Sequence, residues 1–424
     1  MRIRLVTRCL MLGLGMLLLS AAAARAADWP QFRGPGGRGQ SNEMGLPTKW
    51  DGETNILWKA DLPGPGASSP VTFGDKIFLT CYTGYGLEEG PGDDSQLKRH
   101  LLCLNRADGK MIWDAVQPST QKEGAYQGFT ALHGYASSTP AVDADAVYVF
   151  FGATGIAAYS HDGQQRWLTS CGTKTHDWGS ATSPILYENL VIVNAGVESG
   201  SLVALDKKSG QEVWRQPGMV MSWSTPALVK TVGGWELVAQ VKGKILGFDP
   251  ATGKPLWSCQ GVDDYVCPSI VAEGDVAYII GGRRGTAIAV RGGGRGDVTA
   301  THKLWDAKKG SNVSSPVVHD GYLYWAHESK GAVYCVNAKT GEEGYEERLN
   351  PRSGRIYASP LAADGKLYYV SRDTGVYVVA AKPEFELLAH NKIASDTSVF
   401  NGSPVVCDGR LLLRSDRALY CIGK

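Results

Sequence analysis

A Ser/Thr-Pro dipeptide followed by an apolar stretch recurs along this chain. It stands at Ser69-Pro70, Thr139-Pro140, Ser183-Pro184, Thr225-Pro226, Ser315-Pro316, Ser359-Pro360 and Ser403-Pro404, with Cys267-Pro268 as a variant. Successive prolines lie 70, 44, 42, 42, 48, 44 and 44 residues apart. Only the first interval is long, and residues 83–98 and 114–136 can hold its excess as loops. Self-similarity at a period of this size means stacked or radially arranged repeats.

A second motif follows each proline by about thirty residues. Ala204-Leu205-Asp206-Lys207-Lys208-Ser209-Gly210-Gln211-Glu212-Val213-Trp214 is its cleanest copy, and Gly247 to Trp257, Cys103 to Trp113 and Cys335 to Tyr345 repeat it. Ala158 to Trp167 is one residue shorter, Ala289 to Trp305 carries a glycine-rich insertion, and the copy around Val379 to Ala389 has decayed. The Asp or Asn can hydrogen-bond the amides of the following turn. The Gly supplies a positive φ. The Trp can bury its ring against a neighbouring unit. Each unit reads as four short antiparallel strands, and eight units make an all-β, eight-bladed β-propeller.

Ring closure supports the count. The last unit, from Pro404 to Lys424, has only three strands, while Asn55-Ile56-Leu57-Trp58-Lys59 precedes the first unit without a blade of its own. Pairing that N-terminal strand with residues 418–422 would close the last blade and remove both free edges. The organisation expected is a signal peptide over 1–26, an extension over 27–54 crossing the outside, and the propeller over 55–424.

Arg2, Arg4 and Arg8, then Leu10 to Leu19, then Ala24-Arg25-Ala26 have the order of a secretory signal. No Cys follows the apolar core, so a lipid anchor is not expected. The chain is read as exported, periplasmic or secreted, with no transmembrane segment in the mature protein. Lys and Arg total 43 against 42 Asp and Glu. That balance argues against a nucleic-acid partner held by a basic surface. A monomer is expected.

The A-x-D-x-x-[ST]-G-x-x-x-W pattern resembles the tryptophan-docking repeat of the pyrroloquinoline quinone (PQQ) enzyme superfamily. Trp29-Pro30-Gln31-Phe32-Arg33-Gly34 is similar to the start of exported PQQ-like repeat proteins. The resemblance implies the propeller and leaves three functions open. One is a PQQ-dependent alcohol or aldose dehydrogenase, with PQQ and calcium as cofactors; resembling enzymes carry adjacent cysteines, and none are adjacent here. Another is a BamB-type outer-membrane assembly scaffold. The third is a binding propeller for a small molecule, carbohydrate or protein. The binding or scaffold reading is favoured, without catalytic residues.

Motifs that would carry other chemistry are missing or out of context. There is no C-x-x-C-H, H-E-x-x-H or G-x-S-x-G. Gly34-x-Gly36-x-x-Gly39 opens no predicted helix and reads as a loop. Arg295-Gly296-Asp297 reads as a turn, and the glycosylation patterns at Asn312 and Asn401 abut inner strands. Asp93-Asp94 and Asp263-Asp264 read as solvated loop acids rather than a calcium site. Cys103, Cys335 and Cys421 occupy the small-residue start of the docking motif and read as buried thiols. Cys259 and Cys267 flank a short connection and are a candidate disulfide, the alternative being two unpaired thiols.

The candidate site lies just ahead of the Ser/Thr-Pro marks, where blade connections reach one mouth of the axial channel. His133, Tyr135, His176, Trp178, Trp223, Asp264, Tyr265, Asn312, Arg355, Tyr357 and Asn401 are expected to converge there. Such a set suits a ligand pocket. It also suits a self-satisfied plug.

Overall fold

The computed structural model describes residues 27–87 and 92–423; the expected signal, residues 1–26, lies outside the described residues. Eight sheets of four antiparallel strands surround an axis, and two of them gain a short parallel strand. The first blade runs Val71–Phe73, Lys76–Thr83, Lys98–Asn105 and Met111–Pro118 from the axis outward. Cores form between blades. Phe78, Leu101 and Cys103 of blade 1, for instance, pack with Val142, Val147 and Val149 of blade 2.

Closure follows the expected pairing. Ile56–Asp61 is the outer strand of blade 8, with Trp58 opposite Cys421 and Lys59 opposite Tyr420. The docking motif then explains how blades adhere. Its small first residue stands directly across from the Trp, as in Cys103 with Trp113, Ala204 with Trp214 and Gly247 with Trp257. A Cβ on Gly247 would meet the Trp257 ring at 2.1 Å. Each indole reaches the turn of the next blade: Trp58 covers Gly109, Trp113 covers Gly163, Trp167 covers Gly210, and Trp214 covers Gly253. The indole N–H of Trp113 donates to His161 O at 3.0 Å, and that of Trp214 to Pro250 O at 3.1 Å. Asp206 Oδ1 accepts from the amides of Lys208 and Ser209, fixing the turn. Trp257 departs from this pattern, donating to Glu236 Oε2 at 2.8 Å. The insertion after Arg291 occupies the blade 4–blade 5 junction. Within it Gly296–Asp297 forms a short strand parallel to Trp257 and Ser258, not the expected turn.

The Ser/Thr residues of the repeat form a closed ring around the axis. Each backbone N–H donates to the hydroxyl of the next blade's residue, in the order Ser69, Thr139, Ser183, Thr225, Ser269, Ser315, Ser359, Ser403 and back to Ser69, at 2.9–3.2 Å. Blade 5 contributes Ser269, which corrects the alignment of Cys267-Pro268 with the repeat. The true equivalent is Ser269-Ile270, because hydrogen-bond register and not the proline defines the position.

The N-terminal extension also differs from expectation. It does not stay outside. Trp29 N donates to Thr72 Oγ1, Thr72 N to Trp29 O, Val142 N to Pro30 O and Ala362 N to Gly39 O. Residues 29–41 therefore thread the axial channel beneath the hydroxyl ring, and Gln40–Ser41 joins the inner strand of blade 7. Gly34, with φ 73°, lies against the Trp29 ring, where a Cβ would come within 2.6 Å. The glycine-rich stretch is thus a tight loop in a narrow bore. The Arg106 guanidinium anchors its start through Asp28 at 2.6 Å and Asp408 at 2.8 Å. Beyond it the segment lies along blade 7, where Trp50 N donates to Asn391 Oδ1 and Tyr368 OH to Pro47 O.

Candidate functional site at the axial mouth

The plug turns the channel into a dead end. Above Phe32 and the hydroxyl ring lies an open cavity of about 390 Å³. Its walls follow a positional rule. The residue two before each ring Ser/Thr faces in: Ala67, Ser137, Ala181, Trp223, Cys267, Val313, Tyr357 and Asn401 all line it. His133, Trp178, Tyr265, Asn312 and Arg355 line it too.

One wall is aromatic. Trp178 lies 4.9 Å from Trp223 and 4.5 Å from Tyr265 between ring centroids, and Phe129 meets it edge-on at 5.4 Å. Trp223 is held by donation from its indole N–H to Gly179 O at 2.9 Å. The exposed Arg355 lines the cavity on the Tyr357 side; its carbonyl accepts from Arg372 N and Ser371 Oγ, while its guanidinium makes no hydrogen bond or ion pair with the described residues. Arg372 lies 4.7 Å from the Tyr357 ring. Two buried acceptors, Asn312 Oδ1 and Asn401 Oδ1, have no partner.

The long connection after blade 1 folds over part of this mouth. Its short helix α1 (Thr130–His133) places Leu132 O to accept from Arg372 Nη1 and Asn401 Nδ2, both at 2.9 Å. His133 Nε2 bonds Trp178 O at 2.8 Å, and its Nδ1 bonds Ser137 Oγ at 2.5 Å. A carbonyl can only accept, so Nε2 carries the proton and Nδ1 accepts from the serine. Burial pushes the His133 pKa down. This imidazole is a neutral strut, with neither nitrogen free for a ligand.

Three expected site residues lie elsewhere. Tyr135 is buried in a cluster with Tyr82, Tyr85 and Tyr126, its hydroxyl donating to Gly124 O at 2.7 Å. His176 backs the aromatic wall instead of lining it, 4.9 Å from Trp223, with Nδ1 accepting from Trp178 N. Asp264 accepts from the amides of Tyr265 and Arg283. Burial opposes its ionisation, but those N–H bonds hold its pKa below the usual carboxylate value. The proposed Cys259–Cys267 disulfide is not formed; both thiols are free. Cys259 points into the core between blades 4 and 5, while Cys267 faces the axial cavity.

The fold and the mouth can be set beside known proteins. The family profile described as outer membrane protein assembly factor BamB matches residues 43–177, 97–343 and 286–383. This chain belongs to that family of PQQ-like propellers. BamB of Burkholderia pseudomallei is 24% identical over 362 residues, covering 76% of this chain and 86% of the relative. BamB of Yersinia pestis is 24% identical over 294 residues, covering 66% of each. Against BamB of Escherichia coli the match spans 46% of the relative, again at 24% identity. The crystal structure of Moraxella catarrhalis BamB superposes with a TM-score of 0.60 at 14% identity, over 86% of this chain and 96% of that one. A europium-containing methanol dehydrogenase superposes with a TM-score of 0.63 at 11% identity, over 91% and 89%. At these identities the superpositions establish the shared propeller alone.

Within this BamB-family chain, the residues at the mouth do not fit a calcium ion. The carboxylate lining the cavity is Glu328, whose Oε2 accepts from Asn312 N at 2.9 Å and faces His327 Nδ1 at 3.2 Å. Among the described residues no group of three or more His, Cys, Asp or Glu is placed to hold a metal. Calcium takes six to eight oxygens. The wall does suit a flat face against Trp178 and an anionic group at Arg355. Phe129, Leu132, Cys267, Val313 and Glu328 were missed by the sequence reading, although Cys267 and Val313 obey the two-before-the-ring rule.

Proposed function

We propose that this protein is an exported binding propeller that takes a flat, anionic ligand at its axial mouth without chemical turnover. The observation that carries the reading is the unpaired Arg355 guanidinium facing an aromatic wall across a closed-bottomed cavity. Aromatic faces stack on planar ligands, and a guanidinium forks onto a carboxylate. Asn312 Oδ1 and Asn401 Oδ1 offer acceptors to a donor on the same ligand. Titration with PQQ and with naphthalene-2,6-dicarboxylate, followed by tryptophan fluorescence, is the test. Saturable quenching is expected, lost in Trp178→Ala and weakened about tenfold in Arg355→Ala. Quenching unchanged by both substitutions would remove the site. Robust dye-linked oxidation of alcohols or aldoses with PQQ and calcium would replace binding with catalysis.

A second reading is an assembly scaffold with a protein partner. Family membership favours it, and so does the outer strand Met111–Pro118, an edge with Met111, Ile112 and Val116 exposed. Such an edge can pair with a strand of another protein. Loss of folded outer-membrane proteins when the gene is disrupted, restored by the wild-type chain but not by Ile112→Pro, would support it.

A further inference from the structure

The plug carries a charge that the chain does not balance. Arg33 is only 3% exposed, and its Nη2 donates to Arg38 O and Pro316 O. Its Nε and Nη1 have no partner. No carboxylate forms an ion pair with it among the described residues, and burial alone accounts for its lowered pKa, about 9. At neutral pH it remains a cation. A buried, unpaired charge is among the costliest features a fold can hold.

Arg33 is among the residues lining a void of about 40 Å³, which is separate from the axial cavity and shares Phe32 with it. That is enough for a body of about one or two waters. Thr225 and Ser269 of the hydroxyl ring line it. Each of those hydroxyl oxygens accepts a backbone N–H, from Ser183 and Thr225 respectively, which leaves its own proton to donate. Gly36 and Gly37, both at positive φ, give the void its glycine wall. No carboxylate lines the void; its lining side chains are apolar, hydroxyl-bearing or cationic, apart from the amide of Gln31. Water could satisfy the orphaned N–H groups but not the charge.

We propose that this void is a binding site for a small monatomic anion, a halide, held by Arg33 and the Thr225 and Ser269 hydroxyls as an integral part of the plug. Its role is to neutralise the guanidinium and lock residues 29–41 into the channel, so that the mouth above remains a dead end. The site is independent of any ligand bound at Trp178 and Arg355.

Bromide provides the direct probe. Crystals grown in sodium bromide are expected to show an anomalous peak within hydrogen-bonding reach of Arg33 Nε and Nη1. In solution, replacing gluconate by chloride at constant ionic strength should raise the melting temperature by roughly 2–4 °C in the wild type. Arg33→Met should abolish that response. Density at the site without anomalous signal, or a bromide peak with no halide effect on stability, would overturn the proposal. Should Arg33→Met not fold, the wild-type bromide and chloride measurements decide the question alone.

Discussion

Glu198 shows how a single buried group sets the behaviour of the mouth's supporting shell. It is 2% exposed and accepts from the Ser180 hydroxyl, and its carbonyl accepts from Lys174 N at the start of the loop bearing His176 and Trp178. Burial raises its pKa to about 7. A carboxyl whose folded pKa exceeds its unfolded value stabilises fully below about pH 4.5, and that contribution is lost as pH rises through 7. Urea unfolding should therefore find the wild type weaker at pH 8 than at pH 5 by on the order of 3 kcal/mol from this group. Glu198→Gln should flatten the difference; an identical pH slope in the variant would refute the assignment. At this same scale the docking residues were readable from sequence, because each needs one residue type. Gly210 needs positive φ and an open face under Trp167, and the turn needs the acceptor that Asp206 supplies. The site residues were less readable. Tyr135 stands four before its ring residue, as Tyr265 and Arg355 do, yet its ring packs with Tyr82 and Tyr85. Sequence offset gives height along the axis, not the direction of a side chain after an insertion.

Elements were legible where hydrogen bonding and edge protection leave one solution. The spare strand Ile56–Asp61 had only one edge to complete, and it completes it. Deleting residues 27–60 is expected to uncover Ala418–Ile422 as an apolar edge and to produce aggregates on size-exclusion chromatography. A monomeric deletion variant with an unchanged melting temperature would contradict the closure argument. The plug was not legible, since residues 29–41 contain little regular structure and their partners are scattered over blades 1, 2, 6 and 7. Blade 5 misled for a related reason: Pro268 mimics the repeat, while Ser269 makes the ring bond.

For the whole molecule, eight rigid blades, one hydroxyl ring and one plug leave a single-ended axial cavity whose aromatic wall and rim arginine come from different blades. No short motif could reveal that wall, because Trp178, Tyr265 and Arg355 meet only once the ring is closed. The repeat made the height of these residues predictable, and the insertion bearing α1 decided which of them face the lumen. The most direct test is a crystal structure of the wild-type protein soaked with naphthalene-2,6-dicarboxylate. Density is expected for the ring system against Trp178 and for a carboxylate on the Arg355 guanidinium, above an intact plug at Phe32. Density confined to the outer surface, or an empty axial cavity at saturating ligand, would contradict the binding reading.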